Sequence, residues 1–140
     1  MADFGSVDSV RHLDLRSPQL TQYFEPIIER YLSLGYQEGR NLFAAPYDFR
    51  LAPQQLAQEF FPKLKQLVER AHSASGGQKK KVTLVCHSMG CTNLLLFLRA
   101  QSAAWRQSKV RKLIAISSPW GGAVKALKAL LVGEQFGLPM

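Results

Sequence analysis

KVTLVCHSMG, residues 81–90, is the stretch that decides the fold. A basic residue leads into a short β-branched, apolar run typical of a strand, and an apolar helical run follows over residues 91–98. A tight turn therefore lies between a strand and a helix, with Ser88 at its centre. Such a turn forces its central residue into a strained backbone, so its neighbours must be small. Gly90 meets that need, whereas Cys86 stands where a first glycine would fit best.

This strand–turn–helix context predicts a nucleophile elbow at Ser88. The turn would lift the Ser88 hydroxyl clear of the strand and place it at the N-terminus of the next helix. There the Met89 N–H and the helix dipole can stabilise an oxyanion. Ser88 is therefore the candidate nucleophile and Met89 the candidate oxyanion donor. The competing interpretation is an ordinary α/β turn with a solvent-facing serine.

Apolar periodicity elsewhere in the chain alternates between helical and strand patterns. This alternation predicts an α/β fold with a parallel sheet, right-handed crossovers and helices on both faces. We expect Pro26 to bend the first helix and Pro62 to interrupt the second. The predicted elements are a helix over 18–34 capped by Gly35, a strand over 41–45, a helical run over 56–71, a strand over 82–86, a helix over 88–102, a strand over 110–117 and a helix over 123–132.

Two of these elements are expected to be buried. The apolar residues of the 88–102 helix point in several directions. The continuous apolar run at 113–116 is typical of a strand in a parallel sheet that is covered on both faces. Ligands of such sheets bind beyond the carboxyl ends of the strands. Asp48, Ser88 and Trp120 each follow a predicted strand end, so we expect three loops to converge on one face.

The chain has 140 residues and a net charge of +8, with 46 % hydrophobic residues, as expected for one small globular domain. Its positive charges are dispersed apart from Lys79–Lys81, and no motif that reads nucleic acid accompanies them, so we expect no nucleic-acid partner. The N-terminal residues lack the pattern of a secretory signal, and no stretch approaches the ~20 apolar residues of a membrane span. These observations leave the compartment open.

The chain's two cysteines flank the predicted elbow, Cys86 at the end of the strand and Cys91 in the following helix. Neither a disulfide framework nor a metal site is indicated by this spacing. We therefore expect two isolated thiols that serve as packing residues, and we expect no metal and no cofactor.

Three motifs, taken in their order and spacing, resemble the lecithin:cholesterol acyltransferase family, which includes lysosomal phospholipase A2 and phospholipid:diacylglycerol acyltransferase. They are AAPYDFR at 44–50, CHSMG at 86–90 and SSPWGG at 117–122, within a similarity that runs from about residue 4 to the C-terminus. The resemblance implies an α/β-hydrolase fold and a serine acyl-enzyme route. Ser88 would take an acyl group from a phospholipid or other lipid ester and pass it to an alcohol acceptor or to water. Peripheral contact with a membrane would fit such substrates.

The chain departs from the family pattern in ways that bear on catalysis. The family's domain begins earlier and continues further, so residues 1–140 are expected to form a single incomplete α/β-hydrolase domain that carries the elbow. In that fold the acid and the histidine of the triad follow the serine. Here Glu134 is the one acid after Ser88 and no histidine follows. His12 and His72 are expected at the surface, and the isolated chain is predicted to be inactive.

Four residues are candidates for the substrate pocket. His87 matches the residue before the nucleophile, is not the triad base by resemblance, and is expected to point into the fold. Asp48 could orient a base, but an ion pair or loop hydrogen bonds with Arg50 are the favoured interpretation. Trp120 either lines an acyl pocket or covers the end of the sheet, and Gly121 would permit close approach of the backbone.

Three functions remain open from the sequence. The first is a lipid O-acyltransferase or phospholipase A, of which this chain is an internal portion. The second is a non-catalytic lipid-binding remnant or pseudoenzyme. The third is another serine esterase of the same fold, which the motifs at 46–50 and 119–122 disfavour because a generic esterase need not carry them.

Overall fold

The computed structural model describes residues 4–14, 16–74 and 80–133. Most of the predicted loop over 73–78, together with Lys79 and Glu134, lies outside this range. The described elements are α1 (Asp8–Arg11), a 3₁₀ turn (Pro18–Leu20), α2 (Glu25–Ser33), α3 (Pro53–Glu59), α4 (Phe61–Ser73), β1 (Val82–His87), α5 (Met89–Arg99), α6 (Ala103–Lys109), β2 (Val110–Ile116) and α7 (Val124–Val132).

β1 and β2 form a parallel two-stranded sheet. Their register runs from Thr83 opposite Lys112 to His87 opposite Ile116, after an irregularity that follows Val82. The crossover between the strands contains α5 and α6, as parallel pairing requires. The prediction of α/β architecture with a parallel sheet is confirmed to this extent. The placing of helices on both faces stays a prediction.

The main core lies between β1 and the helices α3, α4 and α5. Phe97 of α5 is fully buried, and its ring packs edge-on against Phe61 at 5.6 Å and Trp105 at 5.7 Å between centroids. The Trp105 Nε1–H donates to Glu69 at 2.8 Å, which satisfies its polar end. The buried members of this cluster are Leu56, Phe60, Phe61, Leu64, Val68, Leu84, Cys86, Cys91, Leu94 and Phe97.

The predicted burial is correct for one face of α5 and wrong for β2, in which no residue is buried. Leu94 and Phe97 of α5 are buried, but Leu95 and Leu96 are exposed, so α5 covers the core with one face. Ile114 of β2 is also exposed. In the described part of the chain β2 pairs only with β1. An apolar strand pattern predicts the strand but not how many layers cover it.

The predicted helix over 18–34 is correct from Glu25 to Ser33 and wrong before it. A 3₁₀ turn at Pro18–Leu20 is separated from α2, which begins at Glu25. Pro26 therefore lies in the first turn of α2, where its missing N–H costs nothing, and does not bend a longer helix. Pro62 has the same position in α4, because α3 ends at Glu59 and the regular helix restarts at Phe61.

The predicted strand over 41–45 is also absent as a strand. Its apolar residues make isolated bridges instead: Ala44 pairs with Gly5 in an antiparallel bridge, and Leu42 with Glu38 in a parallel one. Ala44 is buried in a second, smaller cluster with Val7 and Ile28. This short apolar run has no adjacent strand to pair with. It therefore packs through its side chains and does not extend the sheet.

Helix α6 was not predicted, although its start carries a local signal. Ser102 has the extended backbone of an N-cap, and its hydroxyl accepts a hydrogen bond from the Trp105 N–H at 3.2 Å. The helix is only seven residues long. No extended apolar periodicity therefore marks it.

Candidate functional site

Ser88 sits at the turn between β1 and α5 in a strained conformation. Its φ of 51° and ψ of −131° lie in a region that L-residues rarely adopt. Among the described non-glycine residues only Ser117 shares a positive φ. The Ser88 N–H donates to the Ile116 carbonyl at 2.9 Å, and its own carbonyl accepts from the Cys91 N–H at 3.0 Å. These two bonds hold the turn to the end of β2 and to the first turn of α5.

Met89 is the first residue of α5, so its N–H is one of the helix donors without an intrahelical partner. Gly90, the next residue, packs against Tyr47. A Cβ on Gly90 would lie 3.7 Å from both Cε1 and Oη of the Tyr47 side chain. The loop that contains Tyr47 therefore reaches the elbow. Tyr47 was not singled out from the sequence, although it lies within the AAPYDFR motif.

The expectation of two isolated thiols is wrong. Cys86 and Cys91 form a disulfide that spans Ser88, with Cα atoms 5.0 Å apart. Both residues are buried in the main core. Pairing needs Cα atoms closer than about 7 Å. The elbow supplies that proximity, because it returns the chain from the end of β1 directly into α5.

His87 is held beside an apolar cavity at the carboxyl end of the sheet. Its Nδ1 is hydrogen-bonded to the Tyr23 hydroxyl, and its ring packs edge-on against Tyr23 and Phe24 at 5.3 and 6.4 Å. A cavity of about 260 Å³ is lined by these three residues with Ile27 and Ile116. Burial raises the pKa of Tyr23, so its hydroxyl stays protonated at neutral pH.

The sequence does not mark Tyr23 as a site residue, because its position fits a helical stripe of apolar residues. It lies 64 residues from His87 along the chain. A contact of that separation carries no local signal. It follows from the docking of the segment before α2 against the end of β1.

Asp48 forms an ion pair with Arg50. The guanidinium donates to both carboxylate oxygens, from Nε at 2.8 Å and from Nη2 at 2.6 Å, and the Arg50 N–H adds a bond at 3.0 Å. These hydrogen bonds lower the pKa of Asp48 to about 2. Both carboxylate oxygens are therefore occupied by the neighbouring arginine, as favoured from the sequence.

Trp120 and Gly121 lie in the turn after β2. Trp120 is 54 % exposed and is not among the residues that line the cavity. Within the described residues nothing lies within 4 Å of a Cβ built on Gly121. The turn is closed by backbone bonds from Trp120 to Ser118 and from Gly122 to Pro119, each 3.0 Å.

The three histidines contact polar groups other than the Ser88 hydroxyl. His12 Nε2 lies 4.0 Å from Glu25, and His72 Nδ1 lies 3.2 Å from the Lys80 carbonyl oxygen. His72 is buried, which contradicts its predicted surface position. Over the described ranges, then, no histidine is hydrogen-bonded to Ser88.

Residues 4–14, 16–74 and 80–133 contain no cluster of three or more His, Cys, Asp or Glu side chains able to hold a metal ion. None of their helices combines the length and apolar character needed to cross a bilayer.

Comparison with known proteins places these features in a family. The model of the lecithin:cholesterol acyltransferase family matches residues 2–140. The chain is 39 % identical over 137 residues to human phosphatidylcholine-sterol acyltransferase, 34 % over 144 residues to lecithin-cholesterol acyltransferase-like 1 of Arabidopsis thaliana, and 34 % over 137 residues to human lysosomal phospholipase A and acyltransferase.

Each of these alignments covers 98 % of the chain but only 30 %, 33 % and 32 % of the respective relative. The chain therefore spans about a third of the length of the relatives it matches. Because the family model covers almost every residue, the chain belongs to the lecithin:cholesterol acyltransferase family, whose members are lipid acyltransferases and phospholipases.

Proposed function

We propose that this chain carries the nucleophile portion of a lipid acyl-transfer site in an incomplete α/β-hydrolase domain. The observation that carries the proposal is the backbone of Ser88, strained at φ 51° between a parallel strand and a helix N-terminus. A serine held in this way projects from the turn at the carboxyl end of a sheet, where ligands of α/β proteins bind.

The chemistry follows from that position. The Ser88 Oγ attacks the ester carbonyl of a phospholipid or another lipid ester, and its proton passes to a base. The tetrahedral oxyanion accepts a hydrogen bond from the Met89 N–H. When the C–O bond of the ester breaks, the departing alcohol takes up the proton and the acyl group remains on Ser88. An alcohol acceptor or water then attacks the acyl-enzyme and regenerates the serine.

The apolar cavity beside His87 suits a segment of an acyl chain. Its lining consists of aromatic and aliphatic side chains, and the one polar pair in it, Tyr23 with His87, is satisfied internally. In this proposal His87 positions the wall of the pocket and is not the base. Trp120 and Gly121 would contact substrate from the exposed side, whereas Asp48 would order its loop through Arg50.

The 140 residues by themselves are proposed to be inactive. Without its base a serine hydroxyl is a poor nucleophile at neutral pH. Ser88 has no histidine partner in the described part of the chain, and the acid and histidine of the family pattern would have to come from further polypeptide. The same observation favours a second candidate, a non-catalytic lipid-binding remnant. Membership of this family leaves little support for an unrelated esterase.

Labelling with a fluorophosphonate tests the proposal in two proteins. One is the 140-residue chain, and the other is a longer polypeptide that contains it and supplies a downstream Asp and His. We expect slow labelling of the first. In the second we expect fast, stoichiometric labelling at Ser88, together with phospholipid turnover that Ser88→Ala abolishes. Ser117→Ala, at the other positive-φ serine, is the matched control and should keep both.

Each alternative has its own result. No labelling of the longer polypeptide would favour the lipid-binding remnant. Fast labelling of the 140-residue chain at Ser88 would show that the chain contains a base. His87 and His12 would then have to be tested as that base.

A further inference from the structure

The Cys86–Cys91 disulfide encloses the candidate nucleophile. Cys86 is the penultimate residue of β1, Cys91 is the third residue of α5, and the loop closed between them contains the whole turn with Ser88 at its centre. Cys91 is fully buried and Cys86 is 6 % exposed, and both belong to the main core. The cross-link therefore ties the end of the strand to the first turn of the helix at a point where neither can shift without disturbing packed side chains.

The start of α5 has no side-chain cap. Ser88 occupies the N-cap position, where a serine hydroxyl usually accepts a hydrogen bond from the helix, but it makes no such bond. At the start of α6, by contrast, the Ser102 hydroxyl accepts from the Trp105 N–H at 3.2 Å. A serine that capped α5 would have its hydroxyl oxygen committed to the helix. The disulfide can hold the first turn of α5 in place of a cap, and it leaves the Ser88 hydroxyl uncommitted.

The turn is also strained, and few backbone bonds oppose its relaxation. A backbone at φ 51° and ψ −131° is disfavoured by roughly 5- to 150-fold in a residue other than glycine. On either side of it the Ser88 N–H donates to Ile116, and the Cys91 N–H donates to Ser88. Closing a short loop with a disulfide favours the folded chain by about 30-fold. The cross-link is thus of the size needed to offset the strain.

We propose that the Cys86–Cys91 disulfide holds Ser88 in its strained conformation, so that both cysteines are positioning residues for the nucleophile. The inference rests on the proposed function for the role of Ser88. Positioning involves no acyl transfer and is measured on the backbone. Failure of acyl transfer with the turn held in place would therefore refute the proposed function alone, whereas a turn that does not depend on the disulfide would refute only this inference.

The test is amide hydrogen exchange, followed by NMR, of the 140-residue chain with the disulfide closed and open. A small dithiol opens the disulfide: two electrons and two protons pass to the sulfurs, the S–S bond breaks, and the dithiol becomes a disulfide. Reduction in urea and refolding in the dithiol reaches the buried bond, and mass spectrometry counts the two hydrogens gained. We expect the protection of the Ser88 and Cys91 amides to fall at least ~10-fold further than that of Val68, which lies in the middle of α4.

Two comparisons separate a local role from a general loss of stability. With the disulfide closed, Leu67→Ala removes a buried side chain from α4 and should lower the protection of all three amides by a similar factor, because it weakens the whole fold. In the reduced chain, Ser88→Gly should restore most of the protection lost at Cys91, since glycine adopts φ 51° without the steric cost. Ser88→Ala should not restore it, and neither should Ser108→Gly in α6.

Equal loss of protection at Ser88, Cys91 and Val68 on reduction would overturn the inference, because the disulfide would then stabilise the chain as a whole. So would unchanged protection at the turn, or a Ser88→Gly chain that loses as much as its parent. If the reduced parent does not refold, circular dichroism of the reduced variants decides. Refolding of Ser88→Gly but not of Ser88→Ala would support the inference, and any other result would overturn it.

Discussion

Replacing Ser88 by glycine should stabilise the fold relative to replacing it by alanine, the reverse of the usual order. At φ 51° and ψ −131° a Cβ crowds the neighbouring backbone, and such conformations cost about 1–3 kcal/mol in a non-glycine residue. Glycine removes that cost. It also gives the unfolded chain more freedom, which offsets about 0.4–1 kcal/mol. The free energy of unfolding of Ser88→Gly should therefore exceed that of Ser88→Ala by about 1 kcal/mol.

Equilibrium unfolding in urea, followed by circular dichroism, measures the difference. In a chain of this size 1 kcal/mol corresponds to a shift in Tm of about 3 to 5 °C, so thermal scans provide an independent check. Ser108 is the matched control because it lies in the regular helix α6. There glycine should be less stable than alanine by about 0.5–1 kcal/mol.

The two serines should thus give opposite signs. If Ser88→Gly is equal to or less stable than Ser88→Ala while Ser108 behaves as expected, Ser88 is not strained. The elbow geometry on which the proposed nucleophile depends would then be refuted.

Three further outcomes are expected. Phe97→Ala empties a fully buried position and should lower the free energy of unfolding by about 3–5 kcal/mol in urea titration. The pKa of Asp48 is lowered, so its contribution to stability is present above pH ~4 and is lost as pH falls toward about 2. Arg50→Gln should raise the pKa of Asp48 toward its ordinary value, as measured by NMR titration. An unchanged pKa would contradict the ion pair. A dithiol reductant should destabilise the chain by about 2 kcal/mol by opening the Cys86–Cys91 loop, and a variant with alanine at both positions should not respond.

The elbow could be predicted from the sequence because its causes are local. Few backbone conformations are compatible with a β-branched strand, a small residue at Gly90 and a helical run after it. The strand–turn–helix formed by β1, Ser88 and α5 is one of them. The parallel pairing of β1 with β2 was predictable for a related reason. The helical sequence between the two apolar strands is long enough to form the crossover connection that parallel pairing needs.

The structural role of Pro26 could not be predicted from the neighbouring sequence alone. Pro26 is compatible with a bend in a long helix and with the first turn of a short one. The structure contains the short helix α2, which begins at Glu25. The choice depends on what the preceding residues contact: the Phe24 and Tyr23 N–H groups donate to carbonyls of Val10 and Arg11, which holds them outside the helix.

By itself, therefore, the sequence determined the strand–turn–helix at Ser88, the family to which the motifs point, and the lack of a histidine within residues 89–140. Only the tertiary structure decided that Cys86 and Cys91 pair, that Tyr23 holds His87 beside a cavity, and that the side chains of α7 remain exposed. The physical reason is that backbone sterics and periodicity act over a few residues and can be inferred from neighbouring side chains. Pairing, cavity walls and exposure depend instead on which distant segments pack together, and no short stretch of sequence carries that information.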